Sequence, residues 1–156
     1  MQGHAEVIEL LNEVLTAELT AINQYFVDAK MLSNWGFERL AHKFRDESID
    51  EMKDADDLIE RILYLEGVPN VQRLGTVRVG EQPVEKLQLA LELERDAIQR
   101  LNRGIAQCLT HSDNGSRELL EHILEGEEES ADWLETQLDA INRLGEALYL
   151  AGQMHD

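Results

Sequence analysis

The sequence is short of cysteine, of basic residues and of long apolar runs, and each shortage excludes a class of protein. Cys108 is the only cysteine, so the chain cannot form an internal disulfide and nothing indicates an oxidising compartment. The 14 Lys and Arg against 32 Asp and Glu give a net charge of −18, which disfavours binding to nucleic acid or to an anionic membrane. No apolar run approaches the roughly 20 residues that a membrane span needs.

The chain is also poor in residues that interrupt helices. It has two prolines and ten glycines in 156 residues, and 43% of the residues are hydrophobic. This composition predicts one all-α domain with a full hydrophobic core. The first residues, M-Q-G-H-A-E-V, lack the basic and apolar regions of a signal peptide, so we expect a cytoplasmic protein.

Apolar residues recur at helical spacing in four long segments. The predicted helices span about 5–34, 37–66, 84–111 and 116–144, followed by a short fifth helix at 146–154. Residues 67–83 have no helical period, and a connection of about 17 residues is too long to join neighbouring antiparallel helices. It can instead return the chain parallel to the second helix. The prediction is a four-helix bundle with one long crossover plus a short C-terminal helix, with Ser116 capping the fourth helix.

Each predicted helix has a carboxylate in the middle of its apolar face. These residues are Glu18, Glu51 with Asp54, Glu94 and Glu127, and Glu47 also interrupts the second helix. An unpaired buried carboxylate costs several kcal/mol, and no Lys or Arg lies on the apolar faces near these positions. Clustered oxygen ligands suit iron or manganese, so the pattern predicts a metal centre inside the bundle. The alternative is a polar pocket that holds water or a single ion.

Four strings identify a family that shares this pattern. They are L-T-A-E-L-T-A-I-N-Q-Y, E-S-I-D-E-M-K, L-I-E-R-I-L-Y-L-E-G and D-W-L-E-T-Q-L. With them, the chain resembles bacterioferritin, the haem-containing branch of the ferritin-like di-iron family, over essentially its whole length. The resemblance implies a ferritin-like fold and a shell of 24 subunits around a ferric mineral. It also implies a di-iron centre that oxidises Fe(II) with O₂, which is ferroxidase activity.

The resemblance implies a ligand set that this chain matches only in part. Glu18, Glu51, Glu94 and Glu127 match the glutamates of the family's centre. Asp54 and Ser130 stand where the family has histidines, and none of the five histidines lies on an apolar face near the carboxylates. Because serine is a poor iron ligand and aspartate is shorter and charged, we expect weaker iron binding and slower oxidation. Whether Asp54 ligates metal is left open.

A methionine next to this site has a different implied role. The first helix has a second apolar stripe (Leu15, Leu19, Ile22, Phe26), which predicts a subunit interface. Met52 lies beside Glu51 in the string D-E-M-K, where the resemblance places the methionine that binds haem b across a two-fold axis. A thioether can ligate haem iron, although an interface methionine on its own more often serves packing. The haem would pass electrons into the mineral from a ferredoxin-like partner during iron release.

The remaining candidate residues are acidic or aromatic. Asp46, Asp50 and Asp57 form a stripe that by sequence alone is a solvated helix face. The resemblance implies that this stripe faces the storage cavity, with Asp46 and Asp50 as metal-binding residues. Tyr25, two turns after Glu18, is a candidate electron donor to the iron site, and core packing is the simpler explanation of its position.

The sequence therefore predicts an iron-storage subunit that binds haem and has an impaired ferroxidase centre. A linked hypothesis is that it co-assembles with a second, histidine-bearing bacterioferritin subunit. One alternative is a homomer that oxidises Fe(II) by using Asp54. A second is a haem or metal carrier without mineral, and a DNA-protecting mini-ferritin is disfavoured because that group places its metal site between subunits.

Overall fold

The computed structural model describes all 156 residues and is all-helical. Its helices are α1 (Ala5–Asn34), α2 (Glu38–Tyr64), α3 (Pro83–Thr110), α4 (Asn114–Leu144) and α5 (Glu146–Ala151). The predicted bounds of α1 agree with these, and the other predicted ends differ by at most three residues, with the fifth helix ending at Ala151 rather than at residue 154. None of the helices is both long and apolar enough to cross a membrane.

Helices α1 and α2 form one antiparallel pair, α3 and α4 form the other, and the crossover joins the two pairs. Side chains of α1 hold the crossover along the helix. The side-chain amide of Asn12 donates to the backbone carbonyl of Val68 at 3.1 Å, and Thr20 Oγ1 accepts from the backbone amide of Gly75 at 2.8 Å. The crossover therefore runs along α1, and α3 starts near the end of α1 and runs parallel to α2, as the sequence predicts.

The apolar core is divided into two clusters, one toward each end of the bundle. One cluster includes Leu11, Leu58, Leu101 and Leu120. The other includes Tyr25, Phe44, Leu91 and Leu134, all of which lie on the predicted apolar faces. The level between the two clusters is where the four helices present their carboxylates.

Two local predictions are wrong. Leu15 is fully buried in the core of the chain, so it does not belong to the outer apolar stripe of α1. Leu19 and Ile22 are half-buried, and Phe26 is exposed. The second error is the cap of α4, because Asp113 rather than Ser116 is the N-cap residue and accepts from the backbone amide of Ser116 at 3.0 Å.

A buried ion pair joins α1 to the start of α3. The Lys86 ammonium lies 2.8 Å from Asp28 Oδ1, with both side chains almost fully buried. Lys86 Nζ also lies 5.4 Å from the centroid of the Trp35 ring. Burial raises the pKa of Asp28 to about 6, while the bond to Lys86 opposes that rise. This pair explains the polar residue at position 28 of the first apolar face.

Replacing Asp113 is expected to destabilise the protein modestly. Asp113 accepts from Ser116 Oγ at 2.8 Å and pairs with Arg61 at 2.8 Å, so Asp113→Ala removes a helix cap and one partner of a partly buried pair. We expect a loss of about 1–2 kcal/mol in the free energy of unfolding, measured by denaturant unfolding. Asp139→Ala removes only an exposed pair with Arg143 and should cost less than about 0.5 kcal/mol. Equal losses in the two variants would contradict this role of Asp113.

Candidate metal centre

The four predicted glutamates meet between the two apolar clusters. Glu18, Glu51, Glu94 and Glu127 come from α1, α2, α3 and α4 respectively, and each is at most 3% exposed. Four ionised groups that are buried in this way lose the hydration that they would have at the surface. The arrangement therefore requires protons, cations or hydrogen-bond donors as partners.

The carboxylates form two groups that share one residue. The first group is Glu18, Glu51, Asp54 and Glu127, and the second is Glu47, Glu51 and Glu94. Within each group, one ligand oxygen from every residue lies within 4.8 Å of the others. Because Glu51 belongs to both groups, it can bridge two adjacent cation positions.

Several of these oxygens have no hydrogen-bond partner. They are Glu18 Oε2, Glu51 Oε2 and Glu94 Oε2, which are fully buried. The other oxygen of Glu94 accepts from the hydroxyl of Tyr25, which is itself buried. A buried carboxylate oxygen without a donor is destabilising on its own, and divalent cations held by the two groups would supply partners for these oxygens.

Burial and mutual repulsion favour protonation of this cluster when no metal is bound. Burial is the main cause that raises the pKa of Glu51, Glu94 and Glu127 well above the usual range. The charge of a neighbouring glutamate raises each pKa further. The pKa of the Tyr25 hydroxyl is raised by burial and by the charge of Glu94. A cation that binds here therefore displaces protons, so its affinity increases with pH.

Asp54 lies in the first group but is only half-buried. Burial raises its pKa to about 7, and the imidazole of His122 on α4 acts in the opposite direction. His122 is exposed and belongs to neither carboxylate group. A cation that binds Asp54 at neutral pH must therefore displace a proton, as it must at the neighbouring glutamates.

Glu47 belongs to the cluster, whereas the sequence alone shows it only as an interruption of the apolar face of the second helix. It is 7% exposed, and its Oε2 accepts from the hydroxyl of Ser130 at 2.7 Å. Lys43 Nζ lies 3.0 Å from its Oε1 and 5.0 Å from the centroid of the Trp133 ring. The i,i+4 spacing of Glu47 and Glu51 was the available signal, and Lys43 is a counter-charge that sequence reasoning missed.

A cavity of about 680 Å³ leads from the surface to this centre. At its inner end it is lined by Glu18, Glu51 and Glu127. Its outer part lies between α1 and the crossover and includes the exposed residues Glu13 and Arg73. Small hydrated ions can therefore reach the carboxylates without unfolding of the bundle.

Comparison with known proteins identifies the family. Residues 8–144 match the model of the ferritin-like domain. The chain is 54% identical over 151 residues to the bacterioferritin of Streptomyces coelicolor, which covers 97% of this chain and 90% of the relative. It is 50% identical to bacterioferritin BfrA of Mycobacterium tuberculosis, covering 97% of this chain and 95% of the relative. The chain belongs to the bacterioferritin family.

Membership of the bacterioferritin family confirms two predictions from sequence. The fold is the ferritin-like four-helix bundle with a short C-terminal helix, and the protein is an iron-storage protein of the ferritin-like type. Bacterioferritins are oligomeric shells of ferritin-like subunits. The more detailed predictions concern the centre, the haem and the partners of this chain.

The other predicted site residues lie outside the buried cluster. Asp46 and Asp50 are exposed on α2, where Asp50 pairs weakly with Lys53 at 3.9 Å. Asp57 is half-buried, and neither carboxylate group contains any of the three. Met52 is 56% exposed on the outer face of α2. Any metal or haem at these residues would therefore lie at a surface of the subunit.

Two histidines form a separate group at the end of the bundle. The rings of His4 and His111 stack with their centroids 3.6 Å apart, and His111 Nε2 lies 2.9 Å from Glu6 Oε2. The bond to His111 lowers the pKa of Glu6. His4 Nδ1 already accepts from the backbone amide of Glu6, so this ring serves as the N-cap of α1. The group is explained by capping and pairing.

Proposed function

We propose that this chain is a subunit of a 24-subunit iron-storage shell whose internal di-iron centre is impaired. The observation that supports the proposal is the convergence of carboxylates from four helices, three of which have buried oxygens without a partner. Such a cluster is stable at neutral pH only when protons or cations neutralise it. Fe(II) is the substrate, and the oxygen ligands suit it as they suit other hard divalent cations.

The chemistry of the centre follows from what its residues can hold. Glu18, Glu51 and Glu127 line the cavity that reaches the surface, so Fe(II) meets them first. The two groups offer only carboxylate oxygens and no neutral nitrogen donor, and Asp54 is one methylene shorter than a glutamate. Fe(II) is therefore held weakly, and its oxidation by O₂ is slow. Tyr25, hydrogen-bonded to Glu94, is positioned to supply an electron or a proton at the second ion.

An impaired centre beside a complete haem motif supports a mixed shell. In that arrangement a histidine-bearing bacterioferritin subunit oxidises Fe(II), while this chain contributes shell, haem and storage surface. The acidic residues Asp46 and Asp50 would bind iron at the inner surface as mineral forms. Native mass measurement of shells isolated from the source is the test, and a fully active shell with one subunit mass would rule out the partner.

The storage function is tested by loading the pure chain with iron. Assembled protein supplied aerobically with Fe(II) in small steps should retain far more iron than the two ions per chain that the centre itself holds. We expect the added Fe(II) to be oxidised slowly before the iron is retained. Protein that retains no more than two ions per chain would contradict storage and favour a carrier function.

A second candidate function is a homomer with full ferroxidase activity. It is favoured by one observation, the presence of Asp54 in the same ligand group as Glu18, Glu51 and Glu127. Rapid aerobic oxidation of two Fe(II) per chain by the pure protein would establish this function and contradict an impaired centre.

The outer face of the α1–α2 pair fits a haem held between two subunits. Met52 and Ile49 are exposed on one face of α2, and Phe26 on α1 shares a second cavity with Arg45. Arg45, Ile49 and Met52 follow each other at helical spacing, so they line one continuous face. Haem b bound there by Met52 from each of two subunits would supply one-electron transfer. The apolar residues would hold the macrocycle, and Arg45 lies where it can pair with a propionate.

Replacing Met52 tests this role. Met52→Leu keeps the size and the apolar character of the side chain but removes the sulfur. We expect the loss of most of the haem absorbance after reconstitution of assembled protein, measured per chain. Met154→Leu is the matched control, because Met154 is also exposed, at the other end of the chain. Equal haem content in the Met52→Leu and control shells would contradict ligation by Met52.

A further inference from the structure

We propose that Glu47 is a ligand of the second ion of the centre and that Ser130 positions it. Glu47 would take the place that the missing histidine leaves. This inference rests on the proposed function, because it requires that the buried carboxylates bind cations. It adds a fifth glutamate, on the second helix, to the four that the apolar faces predict.

The position of Glu47 sets it apart from the first carboxylate group. Its ligand oxygen lies within 4.8 Å of those of Glu51 and Glu94, while Glu18, Asp54 and Glu127 belong to the other group. Glu51 is common to both. The geometry therefore describes two adjacent cation positions joined by Glu51, with Glu47 and Glu94 serving only the second position.

A second observation is that carboxylate oxygens at the second cation position have no hydrogen-bond partner. Glu94 is 0% exposed, and its Oε2 has no hydrogen-bond donor. Glu51 Oε2 is equally buried and unpartnered. Glu51 and Glu94 both belong to the group that contains Glu47, so a cation held by these three carboxylates could satisfy the orphaned acceptors of two of them.

The hydroxyl of Ser130 explains why serine is compatible with this arrangement. Serine is too short and too weak a donor to replace a histidine as a ligand. Its Oγ instead donates to Glu47 Oε2 at 2.7 Å across the interface between α2 and α4. A hydrogen bond of this kind fixes the orientation of a metal-binding carboxylate, and loss of such outer partners typically weakens metal binding.

The competing explanation is that Glu47 is a purely structural residue. Lys43 lies 3.0 Å from Glu47 Oε1, so Lys43 and Ser130 together could neutralise the carboxylate without any metal. Each carboxylate oxygen has two lone pairs, however, and both oxygens keep one when these bonds are made. A structural Glu47 would have no influence on cation binding, which separates the two explanations.

The test is the number of Mn²⁺ ions that the assembled, metal-free protein binds in equilibrium dialysis without O₂. We expect two ions per chain in the wild type and one in Glu47→Gln, with the affinity for the second ion reduced at least about tenfold. Ser130→Ala should weaken the second ion less than Glu47→Gln does. Glu60→Gln, an exposed change of the same charge on α2, should bind two ions.

The outcomes distinguish this inference from the proposed function. A wild type that binds no Mn²⁺ overturns both. If Glu47→Gln binds Mn²⁺ with the same stoichiometry and affinity as the wild type, the role of Glu47 alone is overturned. If Glu47→Gln loses both ions, the assignment of Glu47 to the second position only is overturned. Glu47→Asp, which keeps the charge but shortens the side chain by one methylene, should also lose the second ion. That variant answers the question if Glu47→Gln does not assemble.

Discussion

The double variant Asp54→His, Ser130→His is expected to oxidise Fe(II) at least about tenfold faster than the wild-type chain. The change replaces a carboxyl group whose pKa lies at about 7 and a hydroxyl that does not ligate iron with two neutral nitrogen donors. Changes to ligands and to their immediate supports typically alter metal affinity or activity by about 10–100-fold. The readout is the initial rate of aerobic Fe(II) oxidation at two Fe(II) per chain.

The single variants and one surface variant serve as controls for this rate. Asp54→His should account for part of the gain in rate, because it places a neutral nitrogen donor in the first carboxylate group. Ser130→His releases Glu47 from its hydrogen bond and supplies a nitrogen to the second group. Glu60→Gln, an exposed change on α2 outside both carboxylate groups, should change the rate by less than about twofold. A wild-type rate equal to that of the double variant would show that the centre is not impaired.

The metal-free protein is expected to lose stability as the pH rises from 5 to 8, and Mn²⁺ is expected to reverse that loss. Burial raises the pKa values of Glu51, Glu94 and Glu127 in the folded state, so the folded chain binds more protons than the unfolded chain in this range. The free energy of unfolding therefore falls with increasing pH. The low pKa of Asp113 acts in the opposite sense only below about pH 4, where that carboxyl is protonated in the unfolded state.

The size of this effect is set by the burial of the charges. A buried charge without a partner costs at least about 3 kcal/mol in the free energy of unfolding. A loss of that size lowers the Tm of a chain of this length by about 6–12 °C. Saturating Mn²⁺ should raise the Tm at pH 8 by a similar amount and have little effect at pH 5, where protons occupy the cluster. Glu94→Gln should flatten the pH dependence, and Glu60→Gln should not. A Tm that rises from pH 5 to 8 without metal would contradict the account.

The fold was predictable from the sequence because its signals are long and redundant. Each apolar face repeats over about seven helical turns, and Gly67, Pro69 and the long aperiodic segment mark where the second helix ends and the crossover begins. The carboxylates were predictable for the same reason, since they interrupt otherwise unbroken faces. The error at the α4 cap is typical of helix termini, where Asp113 and Ser116 are both good capping residues and only the backbone geometry decides.

The details of the centre were less predictable because they depend on contacts between helices. Periodicity places Glu47 near an apolar face but cannot show that it reaches Glu94 on α3 and Ser130 on α4. Lys43 lies one turn before Glu47 and outside the apolar face, and its ammonium lies between Glu47 and the Trp133 ring on α4, a placement that periodicity alone does not show. The spacing of Leu15 fits both stripes of α1, and only the packing of α1 in the bundle shows that it belongs to the core.

Anomalous diffraction at the iron edge from crystals soaked anaerobically in Fe(II) tests the central claim most directly. We expect two iron positions inside each bundle, roughly 3.5–4 Å apart, with Glu51 between them. One should contact Glu18 and the other Glu94. An apolar plug at this level, with the glutamates turned outward and no iron between them, would contradict the claim that these four helices are built around bound cations.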